Sequence, residues 1–292
     1  MAEIWAPPAP PVVPKLLFYR PCGDDQEFDD MDLGLRTRHA IVLGASQGLG
    51  LGVARSLLGE GASVTLVARS MERLATARAS LAEDEQARCD LVAADLGEPG
   101  AVEVILQAAQ REGRVVDILV NNSGGPPTGL PSSVSIDEMR GQFDKMVQPI
   151  MALTLALLPG MRARKWGRII TIASSGVVQP IPHLPISNAL RSSLVAFMKT
   201  LAGEVAADGV TVNVMAPGRI ATVRTQSIDS AQAKRTGRSE DEIARESASS
   251  IPAGRYGTIE EFGAVAAFLA SVPASYVTGS VIRVDGGAIR SI

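Results

Sequence analysis

The sequence predicts an α/β protein, a single doubly wound parallel sheet flanked by helices, and three observations carry that reading. Short apolar runs alternate with amphipathic stretches of helical period from His39 to the C-terminus. The runs are continuously apolar, as in strands buried on both faces, and do not alternate like a half-exposed sheet. A composition of 46% hydrophobic and 4% aromatic residues with 28 glycines supplies a core joined by many tight turns.

Ala40 to Leu43 is the first strand, and Leu49, Val53 and Leu57 follow at helical spacing until Gly61 stops the helix. Val64 to Ala68 is the second strand, followed by a helix with Met71, Leu74 and Leu81 on one face and by the strand Asp90 to Ala94. A helix with Val102, Ile105 and Leu106 leads to the strand Val116 to Val120, and Pro149 to Leu158 reads as a buried helix. Ile169 to Ala173 is a strand, and Leu190, Leu194, Phe197, Met198 and Leu201 line one helix face. Thr211 to Met215 is the next strand; Thr258 with Glu261 is a capping box opening a helix to Ser271, and Val281 to Val284 is the last strand. No internal repeat and no second domain are visible.

Residues 1–30 differ from the rest. Pro7, Pro8, Pro10, Pro11 and Pro14 precede the acidic stretch Asp24, Asp25, Glu27, Asp29, Asp30, which argues for a disordered extension. A partner-binding arm and a start codon placed too early are the alternatives. The remaining residues, 31–292, form the folded domain. The segment lacks the pattern of a secretory signal and is too acidic for a transit peptide.

A net charge of −3 from 28 basic and 31 acidic residues offers no field for nucleic acid or an anionic membrane. Two cysteines, Cys22 and Cys89, make no disulfide framework and suit the cytoplasm. No apolar run reaches the roughly 18 residues that spanning a bilayer needs. No metal site is expected.

Between the first strand and its helix lies Gly44-Ala45-Ser46-Gln47-Gly48-Leu49-Gly50. Glycines there let the backbone approach a pyrophosphate, whose charge then sits at the helix N-terminus. The first two glycines are separated by three residues, which is not the common dinucleotide spacing. The stretch instead resembles the short-chain dehydrogenase/reductase family's Thr-Gly-x-x-x-Gly-x-Gly, with Leu43 in place of the threonine. Four more matches follow in order: Asp95, with Leu96 beside it, after the third strand; Asn121-Asn122-Ser123-Gly124; Pro217-Gly218-Arg219-Ile220-Ala221-Thr222; and Asp285-Gly286-Gly287 after Tyr276-Val277-Thr278-Gly279. The resemblance runs from about Met31 to the C-terminus. It implies a Rossmann-like fold, a nicotinamide cofactor held by these residues and a homo-oligomer, tetramer or dimer, packed through long helices. Cofactor choice is read after the second strand, where Ala68-Arg69-Ser70 lacks the acid that selects NAD. Arg69 offers a forked donor to a 2′-phosphate and Ser70 a hydroxyl, so NADP is expected and NAD is less likely.

At the catalytic positions the resemblance breaks down. The family's serine corresponds to Ser174, thirteen positions before Ser187. Ungapped counting puts Ser187 where the family has a tyrosine and Arg191 where it has a lysine. The family's asparagine is also missing: Met146 falls at its position, with Gln148 nearby. The only tyrosines are Tyr19, Tyr256 and Tyr276, none of them nearby in sequence. An alkyl hydroxyl is a far weaker acid than a phenol, so Ser187 needs a base or a water relay; Arg191 stays protonated and can still hold the cofactor's ribose hydroxyls or a phosphate. His183 in Pro180-Ile181-Pro182-His183 is a candidate relay, against a plain structural role, since histidine exchanges protons near neutral pH. His39 reads as structural. The expected substrate loop at about 219–250 carries Arg219, Arg224, Lys234, Arg235 and Arg238, which could hold an acidic substrate. The expected function is an NADP-dependent oxidoreductase acting on a small carbonyl or alcohol with a non-standard proton donor. A lyase or isomerase step on the same site, or a cofactor-binding sensor or scaffold without turnover, are the alternatives.

Overall fold

Residues 31–291 are described by the structure, a computed structural model. The expected N-terminal extension, with Tyr19 and Cys22, lies outside the described residues. In chain order the elements are β1 (His39–Leu43), α1 (Gly48–Gly59), β2 (Ser63–Ala68), α2 (Met71–Ala79), α3 (Glu83–Ala87) and β3 (Cys89–Ala93). They continue with α4 (Ala101–Ala109), β4 (Ile118–Asn121), α5 (Ile136–Met146), α6 (Gln148–Ala163), β5 (Gly167–Ile172) and α7 (Pro185–Val205). The last are β6 (Val210–Pro217), α8 (Val223–Thr236), α9 (Glu240–Ser249), α10 (Ile259–Ala270) and β7 (Val281–Val284).

The seven strands are all parallel, in the order β3-β2-β1-β4-β5-β6-β7. Winding reverses between β1 and β4, so a crevice opens at their carboxyl ends. Successive strand residues feed opposite layers. Ile41, Leu43, Leu119 and Ile169 pack with α4, α6 and α7, whereas Ala40, Val42, Ile118 and Ile170 pack with α1 and α10. Both faces are therefore covered, as the unbroken apolar runs require.

Helices α1 and α10 meet at glycines. A Cβ on Gly52 would lie 2.4 Å from the Ile259 carbonyl, and one on Gly263 would lie 2.5 Å from the Gly52 carbonyl. The backbones touch there, which fixes how α1 presents its N-terminus to the crevice.

Polar groups organise the opposite, amino end of the sheet. His39 is buried, with Nε2 2.8 Å from Thr65 Oγ1, the structural role expected of it. Asp117 accepts the His39 backbone N–H at 3.2 Å and faces Arg38 and Arg164. The guanidiniums of Arg38 and Arg168 both lie over the Trp166 ring, 3.8 and 4.5 Å from its centre. The buried Arg168 also donates to the carbonyls of Ser271 and Gly167.

Four expectations need correction. Residues 219–250 are not an open loop: α8 and α9 occupy most of the stretch, started by the Thr222 and Ser239 caps, the latter in a capping box with Glu242. Met71 is half-exposed, because α2 turns only Leu74 and Ala77 inward. The fourth strand begins at Ile118, two residues later than expected. Counted as one helix, Ile136–Ala163 is long and apolar enough to cross a bilayer, although half of its most apolar window is buried. Pro149 opens α6 after a break at Val147, and Ile150, Leu153 and Leu157 enter the core.

Two outcomes test this packing. Gly52→Ala forces a methyl into the Ile259 carbonyl and costs about 1–3 kcal/mol of stability, read from the denaturant midpoint. Burial holds the His39 imidazole below its usual pKa, so the unfolded chain binds a proton there more readily than the fold does. Stability therefore falls as pH drops below about 6.5. His39→Gln flattens that slope in thermal melts taken from pH 5 to 8.

Candidate active site

The crevice is lined by the turns after β1, β4, β5 and β6. Gly44 has φ +61°, and a Cβ there would lie 2.7 Å from Asn122 Nδ2, so the first glycine and the Asn-Asn turn meet across the switch point. A Cβ on Gly50 would lie 2.4 Å from the Gly44 carbonyl, which keeps the turn tight. Gln47 occupies the N-cap of α1 without a side-chain hydrogen bond, whereas Ser70, Ser135, Thr222, Ser239 and Thr258 all cap their helices. The first amides of α1 are thus left for an anion. Ser46 and Leu49 are half-buried along the same turn. A Cβ on Gly48 would come within 3.6 Å of Thr222 Cγ2, placing the Pro217–Thr222 stretch over the loop. Gly218 donates to the Val284 carbonyl at 2.9 Å, Ile220 is buried, and Thr222 caps α8.

At the adenine side, Arg69 is exposed just beyond β2 and makes no hydrogen bond or ion pair among the described residues. Ser70 caps α2 through its oxygen and keeps its hydroxyl proton to donate. Asp95 accepts the Gly97 N–H at 3.0 Å, which holds the turn after β3 where Leu96 packs on the core. This set suits a nicotinamide dinucleotide carrying a 2′-phosphate: a glycine cradle, an uncapped helix N-terminus and an unpaired forked cation.

On the nicotinamide side, Asn121 donates to Thr154 Oγ1 at 3.1 Å and to Thr171 Oγ1, tying β4 to α6 and β5. Arg191 is buried on α7 and its fork ends at backbone carbonyls. Nη1 donates to Ile172 at 3.0 Å, and Nη2 donates to Ser123 at 3.1 Å and Gly124 at 3.2 Å. No carboxylate pairs with it among the described residues. Burial, reinforced by the charge of Arg224, lowers its pKa to about 10, so it remains a cation at neutral pH. Ser123 is buried with its Oγ unbonded.

Ser174 follows β5 and accepts the Gly176 N–H at 3.1 Å, which leaves its own O–H to donate. Ser187, one helical turn before Arg191, is buried, and its hydroxyl makes no hydrogen bond among the described residues. His183 is exposed in the left-handed region at φ +63°, and its carbonyl accepts the Gly129 N–H at 3.0 Å. Met146 is buried and Gln148 exposed. Ser174, Ser187 and Arg191 thus lie on adjoining elements at one end of the sheet. His183 is on the loop that leads into α7.

Sequence reasoning missed Asn188, which exchanges two hydrogen bonds with Ile181, 3.3 Å to its N–H and 2.9 Å to its carbonyl. This pairing folds the loop from β5 back onto α7. Its only local signal was an asparagine early in a helix after a proline-rich loop. The bond from Arg224 on α8 to the Pro126 carbonyl, 98 positions away, had no local signal.

A family model described as enoyl-(acyl carrier protein) reductase matches residues 44–288. The chain is 34% identical over 250 residues to the 3-oxoacyl-(acyl-carrier-protein) reductase FabG of Salmonella typhimurium, covering 85% of this chain and 96% of that protein. It is 34% identical over 259 residues to the oxidoreductase UcpA of Escherichia coli, covering 87% and 95%. The structure resembles that of L-sorbose reductase from Gluconobacter frateurii complexed with NADPH and L-sorbose, with a TM-score of 0.84 and 34% identity over 90% of this chain and all of that one.

The 2′-phosphate site is tested by titration calorimetry. Arg69→Ala weakens NADPH binding about 10- to 100-fold, the loss expected for a charge-assisted bond, and leaves NADH binding essentially unchanged.

Proposed function

The chain belongs to the short-chain dehydrogenase/reductase family as an NADP-dependent oxidoreductase, and we propose that it reduces the carbonyl of a small acidic substrate with a serine in place of the usual phenol. The observation that carries this reading is the joint placement of Ser174, Ser187 and Arg191 at the carboxyl end of β4 and β5, beside the glycine cradle. When bound, NADPH supplies a hydride. Gly44, Ser46, Gln47, Gly48, Leu49 and Gly50 hold its pyrophosphate and Arg69 with Ser70 its 2′-phosphate. Asp95 and Leu96 border the adenine, and the Asn122–Gly124 turn with Pro217, Gly218, Ile220 and Thr222 borders the nicotinamide end.

Ser174 donates its free O–H to the substrate carbonyl oxygen, since its acceptor side is already occupied by Gly176. Ser187 passes a proton to the same oxygen and is recharged from solvent, with the exposed His183 at the loop entrance as the exchanging group. Arg191 is the positioning residue. It holds the turns after β4 and β5 in register and lends positive potential to the oxygen as negative charge develops.

We place the enzyme in the cytoplasm as a homo-oligomer. The buried thiol of Cys89, raised to about 11 by desolvation, is an unreactive group that needs no oxidising compartment. The exposed apolar side chains of Ile136, Phe143 and Leu155 on α5 and α6 supply a surface for a second copy.

Two substitutions separate the roles. Ser174→Ala lowers kcat/KM about 10- to 100-fold while the NADPH Kd stays the same. Ser187→Ala lowers kcat by about 10²-fold, the smaller end of general-acid effects, when NADPH oxidation is followed at saturating substrate. An unchanged kcat in Ser187→Ala would remove Ser187 from the proton route.

A further inference from the structure

The substrate segment is rich in cations, but the structure neutralises some of them. Arg219 pairs with the buried Asp229, which also accepts the Tyr256 hydroxyl at 2.8 Å. Arg238 pairs with Glu246. Lys234 and Arg235 sit in the last turn of α8, about 15 Å of helix beyond its first turn. Arg224 stands in that first turn and has no carboxylate partner among the described residues. Its guanidinium lies against the backbone of Gly125, where a Cβ would come within 2.9 Å of Nη2, and donates to the Pro126 carbonyl at 3.0 Å.

Arg191 and Arg224 thus both hold the same short segment. Arg191 takes the carbonyls of Ser123 and Gly124, and Arg224 takes that of Pro126. Two guanidiniums therefore hold the turn after β4, beside the proposed reaction site, and among the described residues no acid pairs with either. Each feels the other's charge, which is one cause of the lowered Arg191 pKa. Arg191 is buried and spends three donors on carbonyls. Arg224 is exposed and is held by one neutral carbonyl, a weaker acceptor than a carboxylate.

We propose that Arg224 is the specificity determinant of this site: it grips a carboxylate carried by the substrate next to the reducible carbonyl, with the buried charge of Arg191 behind it. The substrate class is then the short oxo acids, not their esters or neutral ketones. This rests on the reductase reading above and deepens it. Binding the acid exchanges the Pro126 bond for a bidentate pair.

The test compares acids with their methyl esters. Binding is read by calorimetry with oxamate and methyl oxamate on NADPH-loaded protein, and turnover with pyruvate and acetoacetate against their methyl esters. The wild-type protein is expected to favour each acid at least 10-fold. Arg224→Gln abolishes that preference, Arg224→Lys keeps part of it, and both variants bind NADPH as before. Equal affinity of the wild-type protein for acid and ester overturns the proposal, as does an Arg224→Gln variant that keeps the preference. A parallel loss of NADPH affinity also overturns it, by assigning Arg224 to the cofactor. The two readings fail separately. Oxamate preference lost in Arg224→Gln without hydride transfer to any probe upholds the clamp and removes the reductase reading. Turnover of acids and esters alike in both proteins does the reverse.

Discussion

A buried positive charge with no negative charge to meet it is costly, and the arrangement of this site depends on how Arg191 is accommodated. Desolvating an ion costs several kcal/mol unless its hydrogen bonds are replaced. Here the replacement comes from carbonyls where β4 and β5 end, groups that the parallel ladder no longer uses. A planar fork reaches two turns at once, which a compact ammonium is poorly shaped to do. The guanidinium is therefore both satisfied and satisfying, and the floor of the crevice is set by it.

That arrangement changes the division of labour expected from the family pattern. A phenol beside an ammonium can be tuned as an acid; an alkyl hydroxyl one helical turn from a guanidinium that is spent on carbonyls cannot, because neither group titrates near neutral pH. In the proposed mechanism the protein supplies orientation and electrostatics, and solvent restores the proton that Ser187 gives up. Ser174 accepts one hydrogen bond and has its O–H free to donate, which suits the role proposed for it.

The sheet was legible in the sequence because fully buried parallel strands leave an unbroken apolar run, as at Ala40–Leu43. Helices with a strong apolar stripe or a capping box, such as α10, were equally plain. What was missed is amphiphilic and charged: α8 and α9 read as a substrate loop, although Ser239 with Glu242 offered the same capping signal as Thr258 with Glu261. The cradle glycines and the substituted pair were visible as local spacing. The carbonyl clamp, the Asn188 anchor and the Gly52–Gly263 contact were not, because each depends on the approach of segments that only the fold brings together. Met71 shows the converse: helical spacing assigns a side chain to a face but does not say how far the neighbouring strand extends beneath it.

The bonds around the turn after β4 join residues 68 and 98 positions apart in the chain. Loops of that length close late, after local helices have formed and neighbouring strands have paired. The glycine cradle, by contrast, is a local turn whose own residues are contiguous. During synthesis or refolding the chain thus acquires much of its helix content before the floor of the crevice exists. Recovery of turnover accordingly trails recovery of secondary structure, and a chain interrupted before α8 lacks both the Arg224 bond across the crevice and the α10 contact that fixes α1.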